Sequence, residues 1–279
     1  MLTVPVRQLG DSERAVVERI LDEDPYAGAQ IAERVAAHGL TWWRSDGRVF
    51  GYGQGRLVES LCWSGAHLVP VRATPAAVEA YAGLLGAEHR ICSSIIGRSD
   101  EVLPLWERLS AHWGSARDVR PDQPLLVADQ PAPIPVDPQV RLVRSVEAEQ
   151  LFPAAVSMYT EEVGVSPLLD DGGRGYRRRI NELVRAQRAY ARFVGDRVIF
   201  KAELAIVTRH TAQVQGVWMD PEFRGQGLAA SAMAAVVEDA LRRVAPTVSL
   251  YVNDYNTAAR RVYARCGFRG EGSFATILF

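Results

Sequence analysis

Arg224-Gly225-Gln226-Gly227-Leu228-Ala229 is the stretch on which the fold turns. A run containing Val214, Val217 and Met219 leads into it through a turn at Asp220-Pro221. Beyond it, Leu228, Met233, Val236, Val237, Ala240, Leu241 and Val244 recur at helical spacing until Pro246 stops the run. Residues 247–252 then read as a strand, so the stretch sits inside a β-α-β unit, which crosses over right-handed and sets its two strands parallel. Glycine lets a backbone approach a ligand closely, and the start of a helix presents free N–H groups and a positive dipole end. Arg224 adds a permanent cation with a planar fork of donors. The sequence therefore predicts an anion cradle at the carboxyl end of the first strand, where ligands of open α/β sheets bind. Taken alone, two glycines before a helix also fit a plain tight turn.

The residues that follow narrow the reading. Asn256 suits a helix cap, Ala259, Val262, Tyr263 and Cys266 share one face, and Gly267 ends the helix before Phe268. Arg224 to Ala229 fits the pattern Arg/Gln-x-x-Gly-x-Gly/Ala, and the later helix reads Asn256-x-x-Ala259-x-x-x-Tyr263-x-x-x-Gly267-Phe268. Found in this order on one β-α-β-α unit, these motifs resemble those of the GNAT superfamily of acyl-CoA-dependent N-acyltransferases. The resemblance covers about residues 139–279.

It implies transfer of an acetyl or other acyl group from acetyl-CoA to a primary amine, by direct attack in a ternary complex. It also implies that backbone groups of Val217, Trp218 and Met219 hold the pantetheine arm like an added strand. The N–H groups of Arg224, Gly225, Gln226, Gly227, Leu228 and Ala229 would take the pyrophosphate, Asn256 would lie beside the coenzyme, and Tyr263 would face the sulfur. The acceptor expected is a small-molecule or peptide amine.

Such chemistry needs a neutral amine, yet an unperturbed lysine-like amine has a pKa of about 10.4, so a base or a water relay must take its proton. Alternation in residues 200–206 puts Lys201, Glu203 and Ala205 on one strand face, so Glu203 either reaches the acceptor or pairs with Lys201. Glu161 and Glu162 compete for the acceptor side, because the resemblance puts their region there; otherwise they are a solvated helix end. Tyr263 is either an acid for the departing thiolate or a packed aromatic. The cluster Arg174, Arg177, Arg178 and Arg179 reads first as a solvated face. Two other functions fit parts of the pattern. An acyl-CoA-binding regulatory module would keep the cradle without needing a base. A dinucleotide oxidoreductase could use Gly225-x-Gly227 and Asp254, but here the glycines follow an intervening turn and no later parallel strands complete such a sheet.

Outward from this unit, apolar and charged residues at 48% and 23% of the 279 positions are a globular composition, and a net charge of -1 argues against a generally basic nucleic-acid surface. Lys201 is the only lysine, a bias read as genomic coding preference. Cys62, Cys92 and Cys266 are scattered and the five histidines lack ligand spacing, so neither disulfides nor a metal is expected. With no leader pattern in residues 1–10 and no apolar window of roughly 18 residues, a cytoplasmic protein without a membrane partner is expected.

Helical spacing predicts two helices over 11–37, and aromatic Trp42 and Trp43 are read as core before a turn at Ser45-Asp46-Gly47. Strands are expected at 49–52, 57–63, 67–71 and 90–96, with helices over 74–85 and 100–113. Pro131, Pro133, Pro135 and Pro138 form an extended connector and place a boundary near Pro135. Past it come a strand at 139–143, helices over 148–162 and 175–185 around a loop at Asp170-Asp171-Gly172-Gly173, a hairpin of 189–194 with 198–207, and a strand at 212–219.

The fold class expected is α/β of the α+β mixed-sheet kind. Two GNAT-like domains would lie in tandem, 1–135 and 136–279, each a mostly antiparallel sheet flanked by helices. The first would be a degenerate copy, since Val71-Arg72-Ala73-Thr74-Pro75 stands where the glycine turn should be and Trp106 where the tyrosine should be. Its expected work is to shape the acceptor site or mediate assembly, a homodimer being one option.

Overall fold

The computed structural model describes residues 5–41, 46–55, 57–169 and 171–279; Trp42, Trp43, Ser45 and Asp170 lie outside the described residues. Backbone contacts group residues 1–125, 251–255 and 271–279 into one unit, and 126–250 and 256–270 into another. This differs from a single cut near Pro135.

The first unit opens with β1 (Val6–Gln8), α1 (Arg14–Glu23) and α2 (Ala29–His38), followed by the antiparallel strands β2 (Gly47–Tyr52), β3 (Ser60–Gly65) and β4 (His67–Val71). Helix α3 (Pro75–Gly86) starts where Thr74 accepts a hydrogen bond from the Ala77 amide and proline fixes the first turn. It carries the chain to β5 (Ser94–Arg98), parallel to β4, and α4 (Ser99–Trp113) follows, stopping at Gly114 with φ 77°. Two strands escape the sequence reading. β6 (Asp118–Ala128) contains Pro121 and Pro124, which remove ladder donors and hide the strand signal. β12 (Arg269–Leu278) begins among glycines, and residues 274–278 pair antiparallel with β5. That long-range pairing brings the chain's last strand into the first unit, which no local pattern announces. The strand order within this unit is β1-β2-β3-β4-β5-β12-β6. One apolar cluster packs α3 and α4 on one sheet face around Tyr81, Leu85, Val102 and Leu105. Another packs α1 and α2 around Ile20, Ile31 and Trp63.

The second unit runs through β7 (Arg141–Leu142), α5 (Ala148–Val163), α6 (Arg174–Arg185), the hairpin β8 (Ala189–Val194) and β9 (Arg197–Val207), β10 (Ala212–Met219), α7 (Leu228–Arg243), β11 (Val248–Tyr251) and α8 (Thr257–Arg265). Its strand order is β11-β10-β9-β8-β7, antiparallel except where β10 meets β11. Gly195 at φ 58° makes the hairpin turn. Helix α7 buries alanines, Met233, Val236 and Val237, so its small side chains let it sit close to the sheet. The proline connector is tied near its C-terminal end, where the Asp137 carboxylate meets Arg192 at 2.6 Å.

Candidate functional site

Parallel pairing of β10 with β11 is confined to Ala212↔Val248 and Gln213↔Ser249. From Val214 to Met219 that edge of β10 has no ladder partner in β11, so its backbone groups, apart from the Gly216 and Met219 carbonyls that side chains occupy, are available to an extended ligand. On the other side, the register with β9 slips between Gln215↔Glu203 and Trp218↔Lys201, so Gly216 and Val217 together face Ala202. This is a β-bulge, and Gly216 sits in it at φ 58°, a conformation that resists any Cβ. An isolated glycine in a strand pattern is the signal that could have located the bulge.

Lys201 explains why the bulge holds. Its side chain is 1% exposed, and its Nζ donates to Glu203 Oε2 at 3.0 Å and to the Gly216 carbonyl at 2.8 Å. The alternation of β9 thus brings Lys201 and Glu203 together as the sequence allows, and Glu203, itself 8% exposed, is committed to that buried pair.

After β10, Asp220 caps a single 3-10 turn over residues 221–223 and is held by both arms of Arg197 at 2.7 and 2.8 Å. Gly225 and Gly227 follow at φ 75° and 78°, and nothing lies within 4 Å of a Cβ built on either. Their requirement is therefore conformational rather than spatial. Gly227 stands at the cap position of α7 and contributes no side-chain bond, and the first turn of α7 carries no acid. The opening amides of the helix are left to an external acceptor. Residues 224–227 are exposed, so an anion can reach them.

Arg224 does not stand apart as a free cation. Its Nε donates to the Met219 carbonyl at 2.8 Å and its Nη2 to Glu161 at 2.7 Å, while the other oxygen of Glu161 accepts the Trp218 indole N–H at 2.9 Å. Glu161, near the end of α5, thus ties the turn to β10. The Met219 carbonyl is likewise occupied, and Val217 and Met219 are half-buried while Trp218 is buried.

Asn256 caps α8 by accepting from the Ala259 amide at 3.1 Å, which leaves its amide nitrogen available. Cys266, which caps the C-terminal end of α8, donates to the Ala230 carbonyl at 3.3 Å, tying α8 to the first turn of α7. Tyr263 shares the buried face of α8, edge-on to Phe268 with ring centroids 5.7 Å apart. Burial pushes its phenol well above the ordinary tyrosine range, reinforced by the Glu162 carboxylate, so the hydroxyl keeps its proton at neutral pH. Of the three candidate carboxylates, Glu161 bonds Trp218 and Arg224, Glu203 bonds Lys201, and Glu162 acts on the phenol. Arg177 pairs with Glu149 and lies over Phe152, and Arg179 donates to the Ala205 carbonyl; this part of the basic cluster ties α6 to its neighbours.

Residues 156–268 match the family model described as the Acetyltransferase (GNAT) family. Over this stretch the chain is similar to GNAT acetyltransferases. Residues 47–151, most of them in the first unit, match a model described only as a domain of unknown function, DUF4081. The fold is shared over nearly the whole chain with solved structures of low identity. A Drosophila protein is 13% identical with a TM-score of 0.68, covering 99% of this chain and 98% of that one. A GNAT-family acetyltransferase of Colwellia psychrerythraea is 13% identical with a TM-score of 0.56, covering 98% and 99%. A tandem GNAT protein from the clavulanic acid biosynthesis pathway is 15% identical with a TM-score of 0.53, covering 98% of each chain. No curated protein matches the sequence. The mixed α/β architecture is thus that of a tandem GNAT protein, and its GNAT region supports an acyltransferase. Among the described residues no helix is long and apolar enough to cross a membrane, and no group of three or more His, Cys, Asp or Glu side chains could hold a metal.

Proposed function

We propose that the second unit is an N-acetyltransferase that moves the acetyl group of acetyl-CoA to a primary amine, on a small molecule or a peptide, by direct attack while both are bound. The observation that carries the reading is the parting of β10 from β11 after Gln213, combined with an uncapped α7 and a buried, protonated Tyr263 on the helix locked against it. Acetyl-CoA supplies an acyl carbonyl carried on a thiol leaving group. The open edge at Val217, Trp218 and Met219 suits a pantetheine arm, and the N–H groups from Arg224 to Ala229 suit its pyrophosphate. The bulge at Gly216 and Val217 directs a strand amide out of the ladder, where it can polarise a carbonyl. Asn256 lies beside the coenzyme.

Tyr263 donates its proton to the departing sulfur. A base or a water relay takes the proton that the acceptor's ammonium gives up before the neutral amine attacks; Glu161 and Glu203, bonded to Arg224 and Lys201, act as positioning groups. Tyr263→Phe should lower thiol release about 10²-fold, within the range for general acids, with acetyl-CoA affinity within about twofold by calorimetry. Unchanged turnover would remove Tyr263 as the acid, and absence of acetyl-CoA binding by the wild type would overturn the whole reading.

A second reading, an acyl-CoA-binding regulatory module without turnover, draws on the same commitment of Glu161 and Glu203 to structural partners. Acetyl-CoA binding without thiol release across a broad panel of amines would favour it.

A further inference from the structure

Away from the GNAT region, the first unit carries a cavity of about 480 Å³ lined by Asp24, Arg98, Ser99, Asp100, Glu101 and Ser273. Three carboxylates and one guanidinium meet there, and the guanidinium is spent. Arg98 donates to both oxygens of Asp24, at 2.8 and 2.9 Å, and to the Glu271 carbonyl at 2.6 Å. Asp100 and Glu101, at the first turn of α4, form no direct ion pair among the described residues, Arg98 reaching Glu101 only through its field. Glu101 is only 8% exposed, and its Oε2 is buried with no hydrogen-bond partner. A polar atom in that state costs about 1–3 kcal/mol unless something bonds it, and more when charged.

The groups acting on the carboxyl are mixed. Backbone amides of Arg72 and Ala73 favour its ionised form, while Asp24 and Asp100 oppose it; Cys62 from β3 and Tyr81 from α3 feel its charge from the core, and Arg98 gains from it. Burial first, then the two aspartates, push it up to about 7. A bare metal ion does not fit, since no suitable ligand cluster exists among the described residues. The volume falls in the range of roughly 300–1,000 Å³ typical of small organic ligands.

We propose that this cavity is a binding site for a small organic ammonium ion, whose N–H donors meet Glu101 Oε2 and the Asp100 carboxylate. The proposal does not rest on the acyl-transfer reading. It places a cation sensor in the unit that lacks the glycine turn.

The test is isothermal calorimetry of the full chain with 1,4-diaminobutane at fixed ionic strength. The wild type should bind about tenfold more tightly at pH 8 than at pH 6, as a carboxyl of pKa about 7 ionises. Glu101→Gln should weaken binding about 10- to 100-fold, the worth of a charge-assisted hydrogen bond. Asp100→Asn, at an exposed position, should weaken it about threefold and keeps the experiment informative if the first variant folds poorly. The diamine could also occupy an acceptor site in the second unit; only the heat that disappears in Glu101→Gln counts toward this cavity. Equal affinity in both variants and wild type, equal binding of magnesium chloride, or no binding at about 10 mM would each overturn the proposal.

Discussion

Replacing Glu101 by Gln should make the protein more stable at pH 8 and leave it nearly unchanged at pH 4.5. The folded carboxyl is raised from 4.5 to about 7, chiefly by burial. Below 4.5 it is protonated in folded and unfolded chains alike. As pH rises from 4.5 toward 7 the unfolded chain gives up its proton first, so stability falls, and above 7 the loss levels off. A rise of that size corresponds to about 3 kcal/mol. Glutamine keeps the shape but gives the Arg72 and Ala73 amides a neutral acceptor instead of a charged one, which takes back about 1 kcal/mol. The net gain at pH 8 is therefore about 2 kcal/mol, or roughly 4–8 °C in Tm for a chain of this size. Scanning calorimetry of wild type and variant at pH 4.5, 6, 7 and 8.5, without added amine, should show the gap opening through pH 5–7. A gap of the same size at pH 4.5 and 8.5, or a less stable variant at pH 8.5, would refute the reasoning.

Other perturbations probe the second unit. Lys201→Met strands Glu203 in a buried setting and should cost about 3–5 kcal/mol in urea unfolding, whereas Lys201→Met with Glu203→Leu should recover most of it. Gly216→Ala puts a Cβ 2.8 Å from Lys201 Nζ and 3.0 Å from Glu203 Cδ at φ 58°, so it should cost about 1–3 kcal/mol and weaken acetyl-CoA binding in calorimetry. Gly227→Val meets open space but a backbone at φ 78° that a β-branched residue resists; it should cost about 1–2 kcal/mol and lower acetyl-CoA affinity at least about tenfold.

How much was legible in the sequence follows the range of the interactions involved. The turn from Arg224 to Ala229, the helix after it, the Asn256 cap and the placement of Tyr263 on an inner face all follow from spacings of a few residues. Glycine conformation, helix period and capping chemistry are local, so they are written locally. The Thr74-Pro75 start of α3 and the Gly195 hairpin turn belong to the same class. Trp106, which stands in the first half where a counterpart of the tyrosine would be expected, packs against Phe279 with ring centroids 5.4 Å apart, a contact invisible in the local pattern.

Tertiary structure decided what depends on partners far apart in the chain. It paired the last strand with the distant β5, as at Ala275↔Gly97, and so divided the units along a line no linker marks.

 In that register Phe274 stands opposite Arg98 and Thr276 opposite Ile96. It also turned Glu161 toward Arg224 and Trp218, and by burying the strand face that Lys201 and Glu203 share it chose their pairing over the open alternative that the sequence also allowed. Each of these outcomes depends on which strands and helices come to lie side by side, and a carboxylate's work is set by the cation it meets there. The sequence by itself determined the coenzyme-type turn and the helix that faces it, because both are built from backbone angles and short spacings. Only the folded chain decided that Glu161 is spent on structure, because that depends on side chains brought together from far along the sequence, as in the Glu161–Arg224 pair separated by 63 positions.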